Sequence, residues 1–422
     1  MSREEARIPS LVADNLFRLE GARIVASLAA HLGAHRLQLA EDAVQEALVR
    51  ALQTWPYRGI PENPAAWLTQ AAKNLSLDAL RREQNWQRKE AQITTEQERW
   101  LTRDEPEEEN HLTDDTLRML FVCFHPQLSI EAQLALSLRT VCGLSPAEIG
   151  AAFLTSEAAI AKRLVRARQL IRDFALPFAV PEPSDLPARL DGVLDALYLL
   201  FNEGYKASSG ERLVREDLCH EAIRLGTLLA AHPLTQTPRT FALLALMLLN
   251  AARLPARTDD TGNLLRLHEQ NRAAWDQSMI QRGIQCLSQA AQGDQISEYH
   301  LEAGIAACHS TATNDADTNW PRILALYDQL FTSTASPIAA MNRAVAVSRV
   351  KGPQAGMTAL DAITDLSKLE SYHLFHVIRG TFAAELGNQA AALMHFRQAR
   401  NLASLPAERD FIARKLRECA DE

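Results

Sequence analysis

Apolar residues in this chain recur at spacings of three and four, and the segments they mark predict helices. Over residues 39–52, Ala40, Ala43, Val44, Ala47, Leu48, Ala51 and Leu52 fall on one helical face, leaving Glu41, Asp42, Gln45 and Glu46 on or near the other. Asn63 is a good N-cap and Pro64 suits the first helical position, where its missing N–H costs nothing, so a second helix is predicted from about 64. Trp67, Leu68, Ala71, Ala72 and Leu75 form its apolar face, and Lys73, Asn74, Asp78, Arg81 and Arg82 make it polar and increasingly basic. Residues 53–63, with Trp55, Pro56, Tyr57, Gly59 and Pro61, read as a loop carrying aromatic rings.

The sharpest local pattern lies at 141–172. Gly143 can end one helix in the left-handed conformation, and Ser145, Pro146 and Glu148 form a capping box with proline at the first helical position. Leu144 and Ile149 are placed as a hydrophobic staple, so a helix should begin at Ser145 and run to about Ala152. After a break at 154–156, Ser156 caps a second helix with Ala158, Ile160, Ala161, Leu164, Val165 and Ala167 on its apolar positions. Two helices joined this tightly have helix-turn-helix proportions. Lys162, Arg163, Arg166, Arg168 and Arg172 stand against one acid, Glu157, which makes the second helix strongly basic.

Boundaries follow from composition. Residues 96–109 are rich in Glu and Asp and read as part of an acidic linker, and Pro177, Pro181, Pro183 and Pro187 interrupt helical periodicity before a third region. From Leu190 onward the pattern is again helical, alanine-rich and punctuated by turns. Gly380, Gly387, Ala392, Phe396 and Ala399 match the small and aromatic positions of a tetratricopeptide helix pair, with Gly352 and Ala362 about one repeat upstream. A plain helical bundle remains open for this region.

With 422 residues, 47% hydrophobic and 23% charged, the chain has the composition of a folded multi-domain protein, all-α in class. A formal charge of −8 excludes a protein basic throughout, so nucleic-acid contact must come from local patches. The aromatic loop beside a basic helix suits single-stranded nucleic acid, though Trp55 and Trp67 could equally be core. The polar face at 41–46 could be solvated or could dock on a basic partner. Six scattered cysteines, a charged N-terminal stretch and a longest apolar run of 241–249 predict a soluble cytoplasmic protein without a membrane span. Catalytic signals are poor. The sequence lacks a P-loop and a G-x-G-x-x-G, and His373 with His376 lacks a third ligand nearby, so these two read as packing residues. Cys308 with His309, and residues 202–205, have no identifiable reactive partner. Neither metal, cofactor nor enzymatic activity is expected.

LAEDAVQEAL at 39–48, NPAAWL at 63–68, Lys73-Asn74, DALRR at 78–82, GLSPAEI at 143–149 and RLVRAR at 163–168 resemble, in order, regions 2 and 4 of bacterial sigma factors of the extracytoplasmic-function class. LYLLFNEGY at 197–205, DLCHEAIRL at 217–225 and SPIAAMNRAVAV at 336–347 resemble the subgroup with a large C-terminal helical, tetratricopeptide-like extension. The resemblance implies region 2 at 1–95, an acidic linker at 96–113 threading the polymerase cleft, region 4 at 114–178 and a regulatory domain at 185–422. It also implies core RNA polymerase and promoter DNA as partners, with a regulatory protein as a further partner of the C-terminal domain. Asp42, Gln45 and Glu46 are then core-polymerase contacts. Trp55, Tyr57, Lys73, Asn74, Arg81 and Arg82 fall on the −10 element, where an unpaired base is captured. Ser156, Glu157, Ala159, Lys162, Arg163 and Arg166 fall on the −35 element, with Glu157, Ala159 and Lys162 near bases and the two arginines largely on phosphates. Lys73 stands where many members carry arginine, which keeps the charge and loses the planar fork. The competing reading is a helical-repeat adaptor with an incidental helix-turn-helix.

Overall fold

The computed structural model describes residues 20–86, 114–153, 155–178, 181, 184–206, 214–259, 265–364 and 366–421, and the regular elements among them are helices. The acidic linker expected at 96–113, residues 1–19 and Leu154 lie outside the described residues. Contacts divide the chain into two units, Met1–Leu200 and Phe201–Glu422.

In the first unit, α1 (Gly21–Leu32), α2 (Leu37–Arg58) and α3 (Pro64–Trp86) form a bundle. Ile24, Leu28, Leu37, Val44 and Leu68 are buried in it, each contributing roughly 1.5–3 kcal/mol of apolar burial. Helix α2 extends further than the sequence predicts. It passes through Pro56 and ends at Gly59, whose φ of 82° turns the chain out of the helix. Pro56 has no N–H to give the Leu52 carbonyl, so α2 continues past it with one backbone bond fewer and ends two residues later. Asn63 caps α3 as expected, accepting from the Ala66 N–H at 3.0 Å.

The same unit continues with α4 (Asp115–Cys123), α5 (Ile130–Thr140), α6 (Pro146–Ala152) and α7 (Glu157–Asp173). Leu117, Leu120 and Phe121 of α4 are fully buried, and α1 packs against both α2 and α4. The capping box at α6 forms reciprocally: the Ser145 N–H donates to Glu148 Oε2 at 2.6 Å and the Glu148 N–H donates to Ser145 Oγ at 3.2 Å. Leu144 and Ile149, the predicted staple, are both buried, and Gly143 has the left-handed φ of 65°.

In the second unit helices follow one another as neighbouring pairs. After the last turn of α8 (Leu186–Tyr205) come α9 (Glu216–Ala231), α10 (Pro238–Ala251), α11 (Gln277–Ala290) and α12 (Glu298–Ser310). Helix α10 is the centre, packed by α9, α11 and α12. By length and composition 238–256 could cross a membrane, longer than the apolar run read from the sequence, but most of it is buried inside the protein. There follow α13 (Trp320–Thr334), α14 (Pro337–Lys351), α15 (Pro353–Asp361), α16 (Ser367–Glu370), α17 (His373–Glu385), α18 (Gln389–Leu402) and α19 (Pro406–Asp421). Gly380 lets α17 approach α18, since a Cβ there would stand 2.8 Å from the Phe396 ring. Ala392, Phe396 and Ala399 are buried at that contact, the small-and-aromatic arrangement the sequence predicts.

Candidate nucleic-acid interface

Three surfaces carry the residues singled out by sequence. On α2, Asp42, Gln45 and Glu46 are exposed, whereas Glu41 is turned inward and only 7% exposed. Asp42 accepts from Gln38 at 2.8 Å and Glu46 pairs with Arg50 at 3.1 Å, so the face is held by neighbours one turn away. Val49 and Leu52 are about half exposed on the same helix. Periodicity assigned Leu52 to the buried face and left Val49 unremarked. An exposed valine and leucine one and two turns beyond Gln45 are the apolar part of that surface, which charge reading alone misses.

Glu41 is accounted for by the helix-turn-helix. Its carboxylate receives Arg168 of α7, with Nε at 2.7 Å from Oε2 and Nη2 donating to Oε1 at 3.1 Å, and Thr140 Oγ1 of α5 donates to Oε1 at 3.2 Å. The acid expected on a polar face and the arginine expected on a basic face are thus one buried ion pair. A crevice of about 90 Å³ lies beside it, with Gln45, Arg139 and Gly143 among its walls.

The second surface departs from the loop predicted at 53–63. Trp55 belongs to α2 and is buried, its ring edge-on to Trp67 with centroids 5.7 Å apart, so it is a core residue rather than an exposed stacking platform. Tyr57, two residues on, is 89% exposed. On α3, Gln70, Asn74, Asp78 and Arg81 share an exposed stripe at helical spacing, and Arg82 flanks it. Gln70 donates to Asn74 at 3.1 Å, Arg81 meets Asp78 at 3.5 Å and Arg82 Nε donates to the Asp78 carbonyl at 3.3 Å, so Asp78 tempers the basic end of the helix. Lys73 is half-buried beside this stripe.

The third surface is α7. Ser156 caps it by accepting from the Ala159 N–H at 3.3 Å. Glu157, Lys162 and Arg166 are exposed, Ala159 and Arg163 are half-buried, and Ile160, Leu164, Ala167 and Ile171 face the core. Val165 is 65% exposed, contrary to its assignment to the apolar face. The Thr155 N–H donates to the Gly150 carbonyl at 2.8 Å, closing the turn between α6 and α7. A Cβ on Gly150 would stand 2.9 Å from the Thr155 carbonyl oxygen, which is why this position is glycine.

In the second unit the residues considered for chemistry have structural partners. His373 Nε2 lies 3.2 Å from Glu408, and His376 Nε2 lies 2.9 Å from the Glu370 carbonyl oxygen. Burial pushes the Cys308 thiol up, while burial and Arg253, Arg272 and Arg349 push His309 down to about 3. Both shifts oppose a thiolate–imidazolium pair.

These surfaces define an all-helical protein with one exposed acidic face and one capped, basic helix-turn-helix. Residues 20–86 match sigma-70 region 2, residues 118–171 match sigma-70 region 4, and residues 189–291 match a family of unknown function (DUF6596). A protein of Rhizobium meliloti (strain 1021), described as uncharacterized, is 38% identical over 92% of this chain and 91% of its own length. No solved structure matches the chain. The chain belongs to the sigma factor family, as an extracytoplasmic-function type with a C-terminal helical extension. Sigma-70 regions 2 and 4 indicate a transcription factor and imply core RNA polymerase and promoter DNA as its partners.

Proposed function

We propose that the protein directs initiation at promoters bearing −10 and −35 elements and that its C-terminal extension regulates this step. Asp42, Gln45 and Glu46, with Val49 and Leu52 beside them, dock on core polymerase. Tyr57 offers a face for an unstacked base of the −10 element, and Lys73, Asn74, Arg81 and Arg82 contact the non-template strand. Stacking on one exposed ring returns roughly 1–3 kcal/mol toward the cost of extracting a base. Helix α7 enters the major groove at −35, its first turn near base edges and Arg163 and Arg166 on phosphates.

The observation that carries this reading is the division of labour on α7. Arg168 is turned inward to Glu41 while Lys162 and Arg166 of the same helix stay exposed, so the outward cations are the ones a nucleic acid can reach. The test is transcription with purified core polymerase and a cognate promoter, using the full chain and a chain ending near Phe178. Promoter-dependent transcripts from the full chain support the reading, and failure to bind polymerase overturns it. Identical behaviour of the two chains refutes the regulatory role of the extension. A regulatory protein bound by that extension would make its effect conditional on the partner.

A further inference from the structure

The second unit holds buried positive charge that its own acids leave unanswered. The chain leaving α10 carries Arg253 and Arg257 to Tyr205 at the end of α8. Arg253 Nη2 donates to the Tyr205 hydroxyl at 3.0 Å, and the Arg257 guanidinium lies 3.6 Å from the centre of the Tyr205 ring. Nearby cations are neutralised. Arg349 and Arg272 share Asp315, at 3.2 and 4.0 Å, and Arg266 and Arg414 share Glu269, both at 3.4 Å. Among the described residues, no carboxylate lies within ion-pair distance of Arg253 or Arg257.

Arg257 is only 9% exposed. Its Nη1, the Nε of Arg253 and the Nδ1 of His309 are buried with no hydrogen-bond partner among the described residues. His309 joins the same neighbourhood, because Arg272 donates to its carbonyl at 2.6 Å and its ring is edge-on to Trp320 at 5.4 Å. Arg253 also exerts its charge on both Arg257 and His309. Burying the Arg257 guanidinium without a counter-charge is costly, and placing the half-buried Arg253 beside it adds repulsion. A packing role needs neither charge, since apolar side chains of that volume fill a core at less cost. Other arginines among the described residues also bury a donor without a hydrogen bond, but each of those has a carboxylate partner, and Arg253 and Arg257 do not.

We propose that Arg253 and Arg257, set on Tyr205 with His309 at the edge, form a binding site for a small dianionic ligand, a phosphate monoester or a dicarboxylate. Two guanidinium groups with no carboxylate partner among the described residues match two negative charges, and their planar forks take either anion bidentately. The donors are buried, so the ligand enters as a small molecule rather than as the face of a macromolecule. The extension is then a ligand-binding module whose stability depends on the anion. This goes beyond promoter recognition, and its test involves neither polymerase nor DNA, so either reading can fail without the other.

The test is calorimetric titration and thermal melting of the full chain with inorganic phosphate and, separately, succinate, each against sodium chloride at equal ionic strength. Saturable binding with a raised melting temperature is expected for at least one anion. Phosphate alone identifies a phosphate ester, succinate alone a dicarboxylate, and both an anion site of broader tolerance. Arg253→Gln should weaken binding about tenfold or more, Arg257→Lys should weaken it less, and Arg397→Gln, an exposed change on α18, should leave it unaltered. If neither anion acts beyond sodium chloride, or if Arg253→Gln binds as the unaltered chain does, the site does not exist. If Arg253→Gln fails to fold, the titration of the unaltered chain decides alone.

Discussion

Glu41 and Arg168 illustrate what a single residue can conceal. Each carries a charge that periodicity assigns to an outer face, and each is drawn inward by the other at a contact 127 residues distant in sequence. Nothing in a local window signals such a pair, because its reason is a partner on another element. Replacing Glu41 by glutamine leaves Arg168 turned inward with its counter-charge removed, so urea denaturation should register a loss of about 3–5 kcal/mol. Exchanging both residues for methionine should recover most of that loss, because the desolvation cost of the two ions disappears with them. Glu408 gives a second residue-scale expectation. Burial raises its pKa, but the His373 hydrogen bond and Lys206 outweigh burial and hold it at about 2, below the ordinary 4.5. The charged form is therefore favoured by folding, and its stabilisation is complete above about pH 4.5 and fades as pH falls toward 2. Glu408→Gln should be less stable at neutral pH and should lose less further stability over that acid window, as followed by circular dichroism. Equal acid sensitivity in both chains would assign the transition to other carboxylates.

At the level of elements, the parts whose signals are local were legible in the sequence. The capping box at Ser145, the Ser156 cap, the Asn63–Pro64 start and the glycine turn at 143 all rest on bonds made within four residues, and each forms as expected. The end of α2 was not legible, because a proline and two aromatic residues imitate a loop, whereas Trp55 is buried against Trp67 in a helix that runs to Arg58. For the same reason Trp55 passed for a DNA-facing ring while Tyr57 is the exposed one. The tight turn into α7 supplies a prediction of its own. Gly150→Ala places a methyl group against backbone that cannot swing aside, so it should cost roughly 1–3 kcal/mol and reduce binding to a −35 duplex through misplacement of α7. Thermal melting and duplex binding should fall together. Within the proposed role of α7, Arg163→Ala and Arg166→Ala should weaken binding to all promoters alike and each reduce the salt slope by about 1, whereas Glu157→Gln should change the order of preference among promoters. Uniform effects from all three would remove Glu157 from base reading.

For the whole molecule, the average charge of −8 hid both the outward cations of α7 and the arginine cluster inside the second unit, because composition sums over surfaces that face different ways. The first unit raises a question of reach. In the proposed role its two readers address promoter elements centred about 25 base pairs apart, roughly 85 Å along B-form DNA. A compact body of about 200 residues is only about 40 Å across. Here region 2 and region 4 are packed together, with Glu41 and Arg168 closing the contact between α2 and α7. One rigid body of that size cannot engage both elements, so the contact must open when the protein assembles on polymerase. Donor and acceptor dyes at Arg58→Cys and Arg172→Cys, both exposed positions, in a chain whose half-buried Cys286 and Cys308 are replaced by serine, report the separation. Energy transfer should be high in the free protein and should drop on addition of core polymerase. Glu41→Gln should lower the free-state value, because it removes the charge that holds α7 in place. Transfer that stays high in an actively transcribing complex would mean that the two readers never part and that one of the two promoter contacts is not made.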